Sequence, residues 1–247
     1  MTGYRPDQDA FGRVLLERLD GNDRARIVIE RDDGFVDAED AAAYFDVFRK
    51  WFPVERQALR YVRGRVLDVG AGAGRVALEL QRRGHDVVAI DISPFAIRVA
   101  RRRGVRKTKV LAFADLDGSL GRFDSVVFFM NNFGLFASAS QARRMLRRLH
   151  SLTADRGRIV LTSSDVRRTK NRDHRAYQQR NLDRGRMRGQ IRLRLRFGLI
   201  ATPWFDYLFV SPGELGTLVR GTGWRVHRVI SRSENDYYAA VLEKDDA

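Results

Sequence analysis

The chain has 247 residues, 44% hydrophobic and 31% charged, and no cysteine. Those fractions lie near globular averages and allow one sizeable core, so global disorder is not expected. The lack of cysteine excludes a disulfide scaffold, a zinc ribbon, an iron–sulfur cluster and a thiol nucleophile. Its histidines are scattered, at 85, 150, 174 and 227, so no metal site is expected. The apolar runs fall far short of the ~20 residues that span a bilayer, and no membrane partner is expected. The opening MTGYRPDQDAFGRVLLERLD carries charge through its apolar part and has no small-residue cleavage site. It therefore does not read as a signal peptide, and the expected compartment is the cytoplasm.

The formal net charge is +15. It arises from 41 Arg and 5 Lys, a bias that coding composition also produces. Residues 1–59 hold 9 basic and 13 acidic side chains, whereas residues 143–196 hold 18 and 4. Nearly all the excess sits in one stretch, which predicts a basic face or element.

Residues 7–19 read as a short amphipathic helix with Phe11, Val14, Leu15 and Leu19 on one face. A short strand is expected over 26–30. The stripe Ala41, Tyr44, Phe45, Phe48, Trp51/Phe52 predicts a helix over 37–52, packing on the core, and 55–62 reads as another. From Arg65, strand-length apolar runs (65–69, 86–91, 109–114, 124–130, 158–163) alternate with helical stretches (75–83, 94–103, a weak one at 116–120, 141–152). This alternation predicts a parallel sheet covered by helices on both faces. Arg101, Arg102 and Arg103 read as a solvated helix end. Residues 165–210 interrupt the order. Their first part is Arg-rich. The next part reads as a β-hairpin over 191–200 and 204–210, with Ile191, Leu193, Leu195 and Phe197 alternating with Arg192, Arg194 and Arg196. Its apolar face is expected on the core or on a second copy, as a homodimer. A helix over 212–222 with Ser211 as N-cap and strands over 224–230 and 237–242 close the chain.

One motif carries chemistry. Residues 65–75 read Arg-Val-Leu-Asp-Val-Gly-Ala-Gly-Ala-Gly-Arg. A strand runs straight into a Gly-rich turn and a helix begins at once. Glycines at 70, 72 and 74 allow a tight turn and close approach of a ligand, and the helix start offers free N–H groups. Asp91 ends the next strand, where it can accept both hydroxyls of a ribose. These features point to a nucleoside-containing cofactor. The spacing is G-x-G-x-G rather than the dinucleotide pattern G-x-G-x-x-G.

Asp68 before the glycines, Asp91, Asp115 after the third strand, and a fourth strand ending in Met130-Asn131-Asn132-Phe133-Gly134 form an ordered set. It resembles the class I S-adenosylmethionine-dependent methyltransferases over about residues 65–163. The resemblance implies a Rossmann-like α/β three-layer sandwich with a mainly parallel seven-stranded sheet whose last strand is antiparallel. Within one domain (1–247), it gives an N-terminal helical cap (1–62), a cofactor-binding core (63–164), an inserted β-hairpin segment (165–210) and a C-terminal helix and strands (211–247). It implies that Asp68, Gly70, Ala71, Gly72 and Gly74 surround the methionine part of S-adenosyl-L-methionine. Asp91 would hold the ribose, Ile92 would lie against the adenine, and Asp115 with Leu116 would read it. Asn131 and Asn132 would lie where the fourth-strand loop faces cofactor and substrate. The Asn/Asp-Pro-Pro-aromatic tetrapeptide of nucleic-acid amino-methyltransferases is missing there.

The expected activity is methyl transfer to an oxygen or nitrogen of a small molecule. A base is needed only if that atom begins protonated; the candidates are Asp165, His174, Tyr177 and Asp206. Phe133, Trp204 and Tyr207, with Asn132, are candidates for the substrate wall. Blander roles stand beside each: a cap for Asp115, turn formation for the two asparagines, solvent for His174, hairpin core for Trp204 and Tyr207. The Arg-rich 166–196 segment leaves three further readings open, an RNA substrate platform, a clamp for an anionic small substrate, and a solvated face. A non-enzymatic scaffold is the remaining alternative.

Overall fold

The computed structural model describes residues 3–245. The chain begins with α1 (Ala10–Leu19), β1 (Arg26–Arg31), β2 (Val36–Asp40), α2 (Pro53–Ala58), β3 (Arg65–Val69), α3 (Arg75–Arg82), β4 (Asp86–Asp91), α4 (Pro94–Arg102) and β5 (Lys107–Val110). It continues with β6 (Phe123–Phe128), α5 (Ala139–Leu152), β7 (Thr153–Ser164), α6 (Arg172–Asp183), β8 (Gln190–Phe197), β9 (Ile200–Ala201) and β10 (Phe205–Leu208). It ends with α7 (Pro212–Val219), β11 (Trp224–Ser231) and β12 (Tyr237–Lys244). The main sheet has seven strands in the order β11-β12-β7-β6-β3-β4-β5, a Rossmann-like α/β arrangement. No described helix is long and apolar enough to cross a membrane.

The residues divide into two compact units. The first takes the described residues of Met1–Trp51 with Arg65–Leu116 and Arg192–Phe205. There β3, β4 and β5 are parallel, so the continuous apolar runs of β3 and β4 are buried. A smaller antiparallel sheet joins β2 to β1 and β1 to β8, with Ile29 opposite Leu195. Leu195, Phe197 and Ile200 pack against Ala10, Val14, Leu15 and Ile27. The apolar face of the hairpin, offered by the sequence to the core or a second copy, thus covers α1 of its own chain. In the second unit β6 and β7 are parallel, while β7, β12 and β11 run alternately antiparallel.

The helix expected over 37–52 does not form, so the N-terminal cap is only partly helical. Val36–Asp40 instead pairs with β1, and Ala41–Phe45 and Phe48–Lys50 are 3-10 turns. The aromatic stripe behind that expectation is used one ring at a time. Arg103 lies over Phe45 at 4.6 Å, Arg83 over Phe48 at 4.5 Å and Arg75 over Trp51 at 4.0 Å. Tertiary stacking of this kind overrides a weak helical preference.

Asp9 is fully buried. Its carboxylate caps α1 by accepting from Gly12 N at 2.9 Å. It also accepts from Ser93 Oγ at 2.8 Å and Phe95 N at 3.1 Å at the start of α4. One carboxylate therefore satisfies two helix N-termini and sets their approach. Asp9→Ala is expected to cost about 2 kcal/mol of unfolding free energy. An unchanged urea midpoint would contradict the shared cap.

Candidate functional site

The first unit builds the Gly-rich turn. The Ile90 carbonyl accepts from both Gly70 N and Ala71 N at 3.0 Å, which bends the chain sharply off β3. Gly70, Gly72 and Gly74 have φ of 71°, 53° and 80°, the region glycine adopts without penalty. At Gly74 space is short as well: a Cβ would sit 2.6 Å from Val105 Cγ2. Gly74 is the N-cap of α3 and offers no side chain. Asp68 replaces it by accepting from Ala77 N–H. Its other oxygen, Oδ2, is buried without a hydrogen-bond partner. Burial, with the charge of Asp91 adding, pushes Asp68 up to about 7 against the opposing pull of Ala77 N–H and Arg75.

Asp91 is 6% exposed. Its Oδ2 accepts from Gly72 N and its Oδ1 from Ser93 N, both at 2.9 Å. Burial pushes it up to about 6, and the amides of Ser93, Gly72 and Ile92 hold it from going higher. An ionised carboxylate has about four acceptor positions, so capacity remains for an incoming donor. Ile92 is half-buried, and its carbonyl accepts from Tyr4 N at 3.2 Å. Asp115 is exposed and Leu116 buried. Asp117, not Asp115, caps the following turn, accepting from Ser119 N at 2.9 Å. The set offers an acceptor pair for hydroxyls at Asp91 and a buried acceptor suited to a cation at Asp68.

The second unit holds the loop after β6. Among the described residues the non-glycine positions with positive φ are Met130, Asn131 and Ala137, at 54°, 63° and 61°. Such residues cost roughly 1–2 kcal/mol each, so the surroundings must hold them. Asn131 N donates to Thr162 Oγ1 at 3.0 Å, its carbonyl accepts from Tyr207 Oη at 2.6 Å, and its Oδ1 accepts from Ser164 Oγ at 3.3 Å. Its Nδ2 is left as an oriented donor. Tyr207 lies so close over Gly134 that a Cβ there would be 2.0 Å from Cε1.

Residues 66–157 match a family model described as a methyltransferase domain. A crystal structure of an S-adenosylmethionine-dependent methyltransferase from Bacteroides fragilis, in complex with S-adenosyl-L-homocysteine, superposes with a TM-score of 0.84. It is 25% identical, with 98% of each chain covered. Residues 66–157 form a methyltransferase domain, set in a fold shared with an S-adenosylmethionine-dependent methyltransferase. The magnesium-protoporphyrin O-methyltransferase of Rhodobacter capsulatus is 46% identical over 67 residues, 26% of this chain and 30% of that protein. The ubiquinone/menaquinone biosynthesis C-methyltransferase of Geotalea uraniireducens (strain Rf4) is 30% identical over 143 residues, 51% of this chain and 57% of that protein. The matches span about a third to three fifths of those curated relatives.

Within the methyltransferase fold, several candidates fall away from a substrate wall. Phe133 is fully buried and stacks on Phe136 at 4.5 Å, so it is core. Tyr207 buttresses Asn131, and Trp204 carries Arg194 at 4.7 Å over its ring. Asn132 is half-buried, its N–H donating to Phe129 O at 3.1 Å. Of the base candidates, Asp165 is paired to Arg167 at 2.8 Å, which holds it below the usual carboxylate range. Asp206 faces Arg186 at 3.5 Å. Tyr177 is buried, and His174 lies in the first turn of α6, its backbone N–H capped by Asn171. Arg103 is no solvated helix end: its Nη1 donates to Ala73 O at 2.6 Å inside the Gly-rich turn. Sequence reasoning missed Asp9, Tyr4 and Arg103. Only Asp9 carried a signal, an aspartate just before an apolar helical stripe.

The raised carboxyls give a signed prediction. Between the ordinary carboxyl value of 3.8 and about 7 the folded state keeps an Asp68 proton that the unfolded chain has lost. Stability contributed by that proton is lost as pH rises through this window. Asp68→Asn should therefore gain melting temperature relative to the parent from about pH 5 to about pH 8. A constant difference across that range would refute the assignment.

Proposed function

We propose that the protein transfers the methyl group of S-adenosyl-L-methionine to an oxygen or nitrogen of a small molecule. The observation that carries this reading is the buried Asp68 Oδ2, unpartnered among the described residues, beside the carboxylate of Asp91, which keeps acceptor capacity. An ammonium fits the first and a ribose diol the second. Asp68 with the turn Gly70, Ala71, Gly72 and Gly74 would hold the amino-acid end. Asp91 would hold the ribose, and Ile92, Asp115 and Leu116 the adenine. The bound cofactor supplies an already activated methyl on a sulfonium. The chain's own work is then alignment and exclusion of water.

The arginine accounting favours a small acceptor over RNA. Arg194 donates to Glu30 at 2.7 Å and Arg196 faces the same carboxylate at 3.5 Å. In the second unit, Arg143 and Arg147 donate to the carbonyls of Thr217, Arg220 and Gly221 at the end of α7. These guanidiniums are engaged in the fold, where a polyanion platform needs them turned outward.

The purified protein, given methyl-labelled S-adenosylmethionine and an extract of host small molecules and RNA, should label the small-molecule pool. Asp91→Ala should lower S-adenosylhomocysteine affinity at least tenfold, about 1.4 kcal/mol. Label in RNA would overturn the acceptor class. Unchanged affinity would overturn the site.

A further inference from the structure

The segment before α1 takes a path that the motif does not explain. Tyr4 N donates to Ile92 O at 3.2 Å, just past the end of β4. Gly3 lies so close that a Cβ would meet Val110 Cγ1 at 2.8 Å and Ile92 O at 3.1 Å. Five residues on, Asp9 grips Ser93 and Phe95. Phe11 and Leu15 then come to 3.6 and 3.9 Å from where a Cβ on Gly72 would stand. Residues 3–15 are thus pinned along both turns that follow β3 and β4. A hydrogen bond and a buried cap fix the two ends of the stretch that carries Tyr4.

Tyr4 is half-buried, and among the described residues its hydroxyl has no hydrogen-bond partner. Burial, then the charges of Asp91 and Asp9, push it up to about 12. It therefore stays a protonated donor at neutral pH. Beside it, Asp91 keeps acceptor capacity beyond Gly72 N and Ser93 N. A phenol donor and a carboxylate acceptor at one strand end match a ligand that both donates and accepts there. A nucleoside does so: its diol donates to a carboxylate, and its ribose and ring atoms accept.

We propose that Tyr4 is a binding residue for the nucleoside, its hydroxyl donating to the ribose or base held by Asp91. The inference rests on the cofactor reading of Asp91. Among the described residues the hydroxyl bonds to nothing, so its removal should spare the fold while weakening the ligand.

The test is calorimetric titration of S-adenosylhomocysteine and of adenosine into the parent protein, Tyr4→Phe and Arg5→Ala. Arg5 is exposed and, among the described residues, its side chain pairs with Asp7 alone, so Arg5→Ala controls for disturbance of the segment. Tyr4→Phe should bind both ligands roughly threefold to tenfold more weakly with an unchanged melting temperature. Arg5→Ala should match the parent. Equal affinity of Tyr4→Phe and parent would overturn the Tyr4 assignment and leave the cofactor reading standing. A parent protein that binds neither ligand would overturn both. A loss shared by Arg5→Ala would overturn the hydroxyl contact in favour of general disturbance.

Discussion

Two carboxylates sit buried at the ends of adjacent parallel strands, and the protein does not fully satisfy either. Asp68 has one oxygen on a helix N-terminus and the other, among the described residues, on nothing; Asp91 accepts from the amides of Ser93, Gly72 and Ile92. Burying such groups costs free energy unless donors replace the lost water. The parallel register of β3 and β4 carries them there, and the left-handed glycines turn the backbone away to leave the space. The raised proton affinity of both groups is the signature of an incomplete shell. A ligand that brings an ammonium and hydroxyl donors completes it.

Several of the arginines serve the fold itself. Guanidiniums lie over Phe45, Phe48, Trp51, Phe95 and Trp204, bind Glu30, and close the end of α7. Arginine suits these tasks because its flat, weakly hydrated head stacks and still donates in plane. Arg103 does both at once, stacking on Phe45 while holding the Ala73 carbonyl of the Gly-rich turn. The segment 41–51 is thereby tied to the turn's support, although its sequence shows no more than an apolar stripe.

Much of this was legible in the residues. The alternation from Arg65 onward announces the sheet, because parallel strands buried on both faces must be apolar throughout. The ends of α3 and α4 fall within a residue of expectation, helped by Gly74, Ser93 and Pro94. The helix over 7–19 and the strand over 26–30 were legible, but residues 32–52 were not. Their strand β2 is exposed along its whole length, so no alternation marks it, and their aromatics answer arginines distant in sequence. Phe133 read as a wall residue because the loop composition cannot say which ring turns inward. The Asn131 backbone strain and the unpartnered oxygen of Asp68 leave no trace in a sequence at all.

An arriving ligand with an ammonium and hydroxyls would supply the donors that Asp68 and Asp91 lack. Titrating S-adenosylhomocysteine near neutral pH, in buffers of differing ionisation enthalpy, counts the protons exchanged on binding. Donors reaching these carboxyls should stabilise their charged forms and drive proton release that fades as pH rises past about 7 and is reduced in Asp68→Asn. Binding with no proton exchange, or with uptake, would contradict the account.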